Sequence, residues 1–141
     1  MQIAIINGPN LNLLGIREPE IYGTVTFEAY LETLRHTFPQ VAFSYFQSNV
    51  EGELVTELQR IGFSADGIVL NAAAYTHTSV AIGDAIAAVN TKVVEVHISN
   101  IFARETFRSS SLISAKSVGV ISGLGFKGYA LAVQYFADGN L

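Results

Sequence analysis

Two hydrophobic periods alternate along this chain. Residues 2–7 are almost wholly apolar and β-branched, which predicts a buried strand. Residues 27–35 then place apolar side chains at helical spacing, with Thr26 as the cap and Pro39 beyond the end. Residues 41–46 read as a second strand, running into Gln47-Ser48-Asn49. Glu51–Ile61 reads as a second helix with Leu54, Val55, Leu58 and Ile61 on one face and Gly62 as its stop. Residues 67–70 predict a third strand that ends at Asn71. A third helix begins at Thr76 or Thr78 and runs to about Val89. Residues 92–98 and 117–121 predict the fourth and fifth strands, and residues 127–136 a closing helix. Residues 101–114 are polar and aperiodic, a loop with room for a short helix.

Strands that alternate with helices imply a parallel sheet covered on both faces. Five such units in one domain over residues 1–141 predict an α/β fold, the flavodoxin-like doubly wound sheet with order 2-1-3-4-5. In that arrangement ligands bind outside the carboxyl ends of the strands, at the switch between strands 1 and 3. Asn10, Asn71, His97 and Ser99 all fall at or just after such ends. After strand 1 the chain breaks at Gly8-Pro9 and presents Asn10 and Asn12. A polar segment, about residues 15–23, follows between Gly15 and Gly23 and holds Arg17 and Tyr22. Glycines at both ends suit a hinged lid, and an ordinary surface loop is the plainer alternative.

The fourth strand carries the clearest chemistry. Alternation puts Glu95, His97 and Ser99 on one face, and Val94, Val96 and Ile98 on the other. Side chains two apart on a strand start ~7 Å apart, so Glu95 reaches His97. A carboxylate beside an imidazole fixes its tautomer and suits it to general-acid work. A structural polar pair in the core is the alternative, but a carboxylate buried in a parallel sheet is costly without a purpose. His77 stands at the predicted start of the third helix, as a cap or as a site residue. Asp84 lies seven residues on, on nearly the same face but ~10 Å along the axis. It therefore faces solvent or another chain rather than His77.

Composition narrows the field. Half the residues are apolar and 14% are charged, so the chain has a core to bury and a surface partly given to partners. A net charge of −4 offers no basic footprint for nucleic acid. Cysteine is absent, which removes disulfides, thiolate nucleophiles and cysteine-ligated metal. His36, His77 and His97 show no ligand spacing, so no metal site is expected. The first residues enter a strand with no signal-peptide pattern, and no apolar run has membrane-spanning length. The expectation is a cytoplasmic protein without a membrane or nucleic-acid partner. Gly8-Pro9-Asn10 is neither a P-loop nor GxGxxG. Asn7 and Asn71 stand where a phosphorylated receiver domain would need acids.

The motifs resemble type II 3-dehydroquinate dehydratases over nearly the whole chain. The matching blocks are residues 7–15 with Arg17-Glu18-Pro19 and Tyr22-Gly23, then Gln47-Ser48-Asn49 with Glu51-Gly52-Glu53. Asn71 with residues 74–79 follows, then residues 95–100 with Arg104-Glu105 and Phe107-Arg108, and finally Gly123-Leu124-Gly125 with Gly128-Tyr129. Departures are Val50 where the family commonly has His, Ala72-Ala73 for Pro-Gly, Gly83 for a larger residue, and Ser109-Ser110 for a basic pair.

The resemblance implies dehydration of 3-dehydroquinate to 3-dehydroshikimate through an enolate, without a cofactor, as in the shikimate pathway or in quinate breakdown. It implies Tyr22 as the phenolate base. A free tyrosine has a pKa of ~10, so the base needs a cation nearby, and Arg17 has the right sign. Asn10 would hold the water that stabilises the enolate oxygen. His97, oriented by Glu95, would protonate the departing hydroxyl. Asn71, His77, Ser99, Arg108 and the backbone at Ile98 would grip the substrate. Asp84 would come from a neighbouring subunit, in trimers that assemble into a dodecamer. The lysine Schiff base of the other dehydratase class does not fit, because Lys92 opens strand 4 at the far edge and Lys116 and Lys127 lie outside the blocks assigned to the site. Two alternatives are a flavin or nucleotide binding protein of the same fold and an inactive oligomeric scaffold.

Overall fold

The computed structural model describes residues 1–139, so Asn140 and Leu141 of the expected domain lie outside the described residues. Strands β1 (Gln2–Asn7), β2 (Ala42–Gln47), β3 (Gly67–Asn71), β4 (Val93–His97) and β5 (Gly119–Ser122) form one sheet. Every neighbouring pair is parallel and the order is β2-β1-β3-β4-β5, the doubly wound arrangement expected. The helices are α1 (Pro19–Tyr22), α2 (Phe27–Thr37), α3 (Glu51–Ile61), α4 (Val80–Ala88) and α5 (Lys127–Ala137). None is long and apolar enough to cross a membrane among the described residues.

Strand alternation builds the two core layers. Ile3 and Ile5 of β1 pack with Phe27, Leu31 and Leu34 of α2 and with Tyr129, Val133 and Phe136 of α5. Ala4 and Ile6 face the other way, toward Leu54, Leu58 and Ile61 of α3 and Ile82 and Ile86 of α4. Each large aliphatic or aromatic side chain buried there contributes about 1.5–3 kcal/mol. Stability thus comes from the layers, which leaves the strand ends free to carry polar groups.

Local signals set most boundaries. Thr26 Oγ1 accepts the Ala29 amide at 3.2 Å and starts α2 as expected. The third helix begins later than Thr76 or Thr78. Residues Ala73–His77 wind as a 3₁₀ turn, and Ser79 caps α4 by accepting the Ile82 amide at 2.9 Å. His77 is therefore not in the first turn of α4. Gly62 does stop α3, but in a right-handed conformation (φ −67°) rather than as a left-handed cap. Its lack of a side chain serves close packing, since a Cβ there would meet Val89 Cγ1 at 2.3 Å. Residues 101–116 hold three 3₁₀ turns, Ile101–Ala103, Thr106–Ser109 and Ser114–Lys116, and no α-helix.

Candidate active site

The register of β1 and β3 pairs Asn7 with Asn71, so two amide side chains stand together at the carboxyl edge. Gly8 follows at once, its N–H donating to the Asn71 carbonyl at 2.7 Å. No other residue fits, because a Cβ on Gly8 would lie 2.6 Å from the Ala72 carbonyl oxygen. The chain then turns through Asn10, whose φ of 68° is left-handed. Asn49 Oδ1 holds that turn by accepting the Asn10 amide at 2.9 Å, and Gln47 Nε2 donates to the Gly8 carbonyl at 3.1 Å. The end of β2 thus shapes the loop that carries Asn10.

Residues 15–23 contain the short helix α1, entered through Glu18 at φ 41° and left through Gly23 at φ 80°. Gly15, at φ 91°, opens the segment where a Cβ would press on the Thr24 carbonyl at 2.9 Å. Both flanking glycines therefore occupy backbone conformations that other residues adopt only with strain. This geometry aims Tyr22 back over the strand ends. Arg17 sits 5.4 Å from the centre of the Tyr22 ring and pairs with Glu18 at 3.1 Å.

Across the cleft, His97 Nε2 donates to Glu95 Oε1 at 2.5 Å. That bond leaves Nδ1 as the ring nitrogen available to the cleft. Glu95 is fully buried, and Ser114 Oγ (2.5 Å) and Ser111 Oγ (3.4 Å) donate to its second oxygen. Three donors on one carboxylate keep its charge tolerable in the sheet. The His77 ring lies nearly parallel to that of His97, centroids 6.3 Å apart. His77 Nδ1 donates to the Ser110 carbonyl at 2.7 Å, so Nε2 is its free nitrogen.

One cleft, open to solvent at its mouth, is lined by Asn10, Arg17, Tyr22, Asn71, His77, His97, Ile98, Ser99 and Arg108. Glu95 stands behind His97 rather than on the wall. Asp84 is exposed on α4 and does not reach this cleft within the same chain. Lys92, Lys116 and Lys127 are likewise absent from the wall, so no amine is placed for an imine with a bound ketone.

Arg104 also lines the cleft, and sequence reasoning gave it no role. Its Nη1 donates to Tyr22 Oη at 3.1 Å and to Ser99 Oγ at 3.3 Å, tying residues 15–23 to the chain just after β4. Ser111 and Ser114 were missed as well. All three lie in the aperiodic stretch, where no spacing rule reports direction; their only signal was the Arg104-Glu105 block. Arg108 pairs with Glu105 at 2.5 Å. The Glu105 carboxyl is held below its usual range by its own backbone amide and then by Arg108.

The Dehydroquinase class II family matches residues 1–137. The chain belongs to this family. The 3-dehydroquinate dehydratase of Aliarcobacter butzleri is 53% identical over 135 residues, covering 94% of this chain and 82% of that one. The 3-dehydroquinate dehydratase of Fusobacterium nucleatum is 51% identical over 144 residues, 98% of this chain and 97% of that one. The crystal structure of type II dehydroquinase from Butyrivibrio crossotus superposes with a TM-score of 0.93 at 43% identity, covering 97% of each chain. Nothing in these resemblances supports the flavin or nucleotide binding alternative.

Some of the departures named above have a visible local setting. Ala73 takes a left-handed φ of 52°, a conformation that the commoner glycine adopts freely. A Cβ on Gly83 would meet the Leu112 carbonyl at 2.8 Å, so α4 lies close against the segment that carries Ser111 and Ser114. Val50 is 54% exposed and offers no side-chain cap to α3. Ser110 serves through its carbonyl, which holds His77 whatever its side chain.

Proposed function

We propose that this chain is a 3-dehydroquinate dehydratase that eliminates water through an enolate to give 3-dehydroshikimate. The observation that carries this reading is a single cleft in which a phenol held by a guanidinium opposes a carboxylate-bound imidazole. Tyr22, as phenolate, removes the proton alpha to the ketone, and the C–H electron pair moves to the ketone oxygen. Positive charge on Arg104 and Arg17 stabilises the phenolate. A water held by Asn10 stabilises the enolate oxygen. Collapse of the enolate forms the carbon–carbon double bond and breaks the bond to the hydroxyl β to the ketone. His97 gives that hydroxyl a proton from Nδ1, the ring nitrogen not bonded to Glu95, so it departs as water. Proton transfer of this kind contributes about 10²–10⁴-fold at each group. Asn71, His77, Ser99, Arg108 and the Ile98 backbone hold the carboxylate and hydroxyls of the substrate, and residues 15–23 close over it.

Assembly into trimers and then a dodecamer, with Asp84 reaching the lid of a neighbour, completes the reading. Ile16, Phe63, Val80, Phe102 and Phe107, each 61–77% exposed, are surface that such contacts would cover. A monomer by light scattering with full activity would remove the assembly and the shared Asp84 together. The same reading places the enzyme in the cytoplasm.

The reaction is tested by ultraviolet absorbance after adding 3-dehydroquinate, with borohydride-treated enzyme alongside. The expected result is a rise from the conjugated ketone, unchanged by borohydride. No rise from a folded protein would overturn the function, and borohydride inactivation would overturn the lysine-free mechanism.

A further inference from the structure

Asn71 is 3% exposed, and its amide is held from both ends by groups far apart in sequence. Its Oδ1 accepts the Ala73 N–H at 3.1 Å. Its Nδ2 donates at 2.9 Å to the hydroxyl of Tyr129, a fully buried residue of α5. That hydroxyl in turn donates its only proton to Asn7 Oδ1 at 2.8 Å. The direction of the chain is therefore set. With its proton committed to Asn7, Tyr129 offers Asn71 a lone pair and accepts only the nitrogen end of the amide. A flipped Asn71 would oppose Nδ2 to the Ala73 N–H, donor against donor, and Oδ1 to the Tyr129 lone pair.

Asn7 strengthens this interpretation through its cost. It is fully buried, and its Nδ2 makes no hydrogen bond of ordinary length, only a weak approach to the equally unpartnered Tyr45 hydroxyl. A buried donor without a partner costs about 1–3 kcal/mol, and an aliphatic residue would fill the strand end without that loss. What asparagine adds is the acceptor that turns the Tyr129 proton away from Asn71. Burial also pushes the Tyr129 phenol far above its ordinary range, so it stays a neutral hydroxyl.

We propose that Tyr129 is a positioning residue for substrate binding: its hydroxyl, oriented by Asn7, makes Asn71 present an N–H to the cleft and not an oxygen. One N–H of Asn71 serves Tyr129, and the second faces the ligand. The group that meets it is an acceptor oxygen, a carboxylate or a hydroxyl lone pair. This rests on the reading of Asn71 as a substrate contact.

The test is a double-mutant cycle in KM and kcat with thermal melts alongside. Tyr129→Phe keeps the ring that packs on Phe27 at 4.9 Å and removes only the hydroxyl. We expect Tyr129→Phe to raise KM about fivefold and Asn71→Ala about tenfold, the latter corresponding to about 1.4 kcal/mol, with kcat within about twofold because the contact is uniform. The double variant should be no worse than Asn71→Ala alone. An unchanged KM for folded Tyr129→Phe, beside a raised KM for Asn71→Ala, overturns the positioning role alone. Fully multiplying effects overturn it too, since a merely structural loss would add. An unchanged KM for Asn71→Ala removes the substrate contact, and the proposal with it. Should Tyr129→Phe not fold, Asn7→Ala frees the Tyr129 proton to turn toward Asn71 and favours the flipped amide. The same rise in KM supports the proposal there, and its absence overturns it.

Discussion

Replacing Arg104 by leucine tests whether negative charge develops on Tyr22. Two unit charges at the observed 3.1 Å interact by about 1.3 kcal/mol in water and about 5 kcal/mol at an effective dielectric of about 20. Both side chains are half-buried at the mouth of the cleft, so a value near 3 kcal/mol is appropriate, or about 10²-fold in rate. Arg104→Leu should therefore lower kcat/KM about 10²-fold, measured from initial rates of absorbance rise. Circular dichroism and the melting temperature should stay near those of the parent, because Arg104 contributes to neither core layer. Arg104→Lys keeps the charge but loses the planar fork that reaches Tyr22 and Ser99 together, and should recover only part of the rate. Added guanidinium ion should partly restore Arg104→Leu and leave the parent unchanged. A folded Arg104→Leu within threefold of the parent would refute the reasoning. The reacting phenol oxygen would then draw its stabilisation from elsewhere.

Ser114→Ala removes the nearer of the two donors on Glu95 Oε2 (2.5 Å) and loosens the support of His97. A fall in kcat of about tenfold with little change in KM is expected, and an unchanged kcat would assign the hydroxyl to structure alone. Ala73→Gly relieves a left-handed alanine at φ 52°. Set against the extra freedom of the unfolded chain, it should stabilise by about 0.5–1 kcal/mol and raise Tm by about 2–3 °C; a lower Tm would contradict the strain. Burial raises the phenols of Tyr30 and Tyr129 and pushes Tyr45 up to about 12. The folded state thus holds protons that the unfolded state releases near pH 10, so this contribution is complete below ~10 and is lost as pH climbs toward 12. Denaturant midpoints should fall across that alkaline window, and a flat profile would mean that these phenols are not desolvated.

Much of the fold was legible because local spacing reports periodicity directly. The apolar positions of α3 and the Thr26 cap of α2 needed no distant partner, and the alternation in β4 by itself put Glu95 beside His97. The order of the sheet followed from the count of alternating elements. Asn10, Asn71, His97 and Ser99 fell into the cleft because chain direction alone decides which strand ends share an edge. Where contacts between distant segments set the conformation, spacing was silent. The late start of α4 follows from the 3₁₀ turn before it and the Ser79 cap, and the smallness of Gly62 answers to Val89. Arg104, Ser111 and Ser114 come from an aperiodic stretch whose course depends on backbone bonds such as Leu112 N–H to the Thr76 carbonyl at 2.9 Å. Tyr129 looks like one more apolar position of α5. Only the packing of that helix beneath β1 and β3 puts its hydroxyl between Asn7 and Asn71, 122 and 58 residues away. Sequence by itself determined the elements, their order and the edge that carries the chemistry. Tertiary structure decided which donors reach the reacting groups, because hydrogen-bond direction depends on ångström-scale placement that periodicity does not encode.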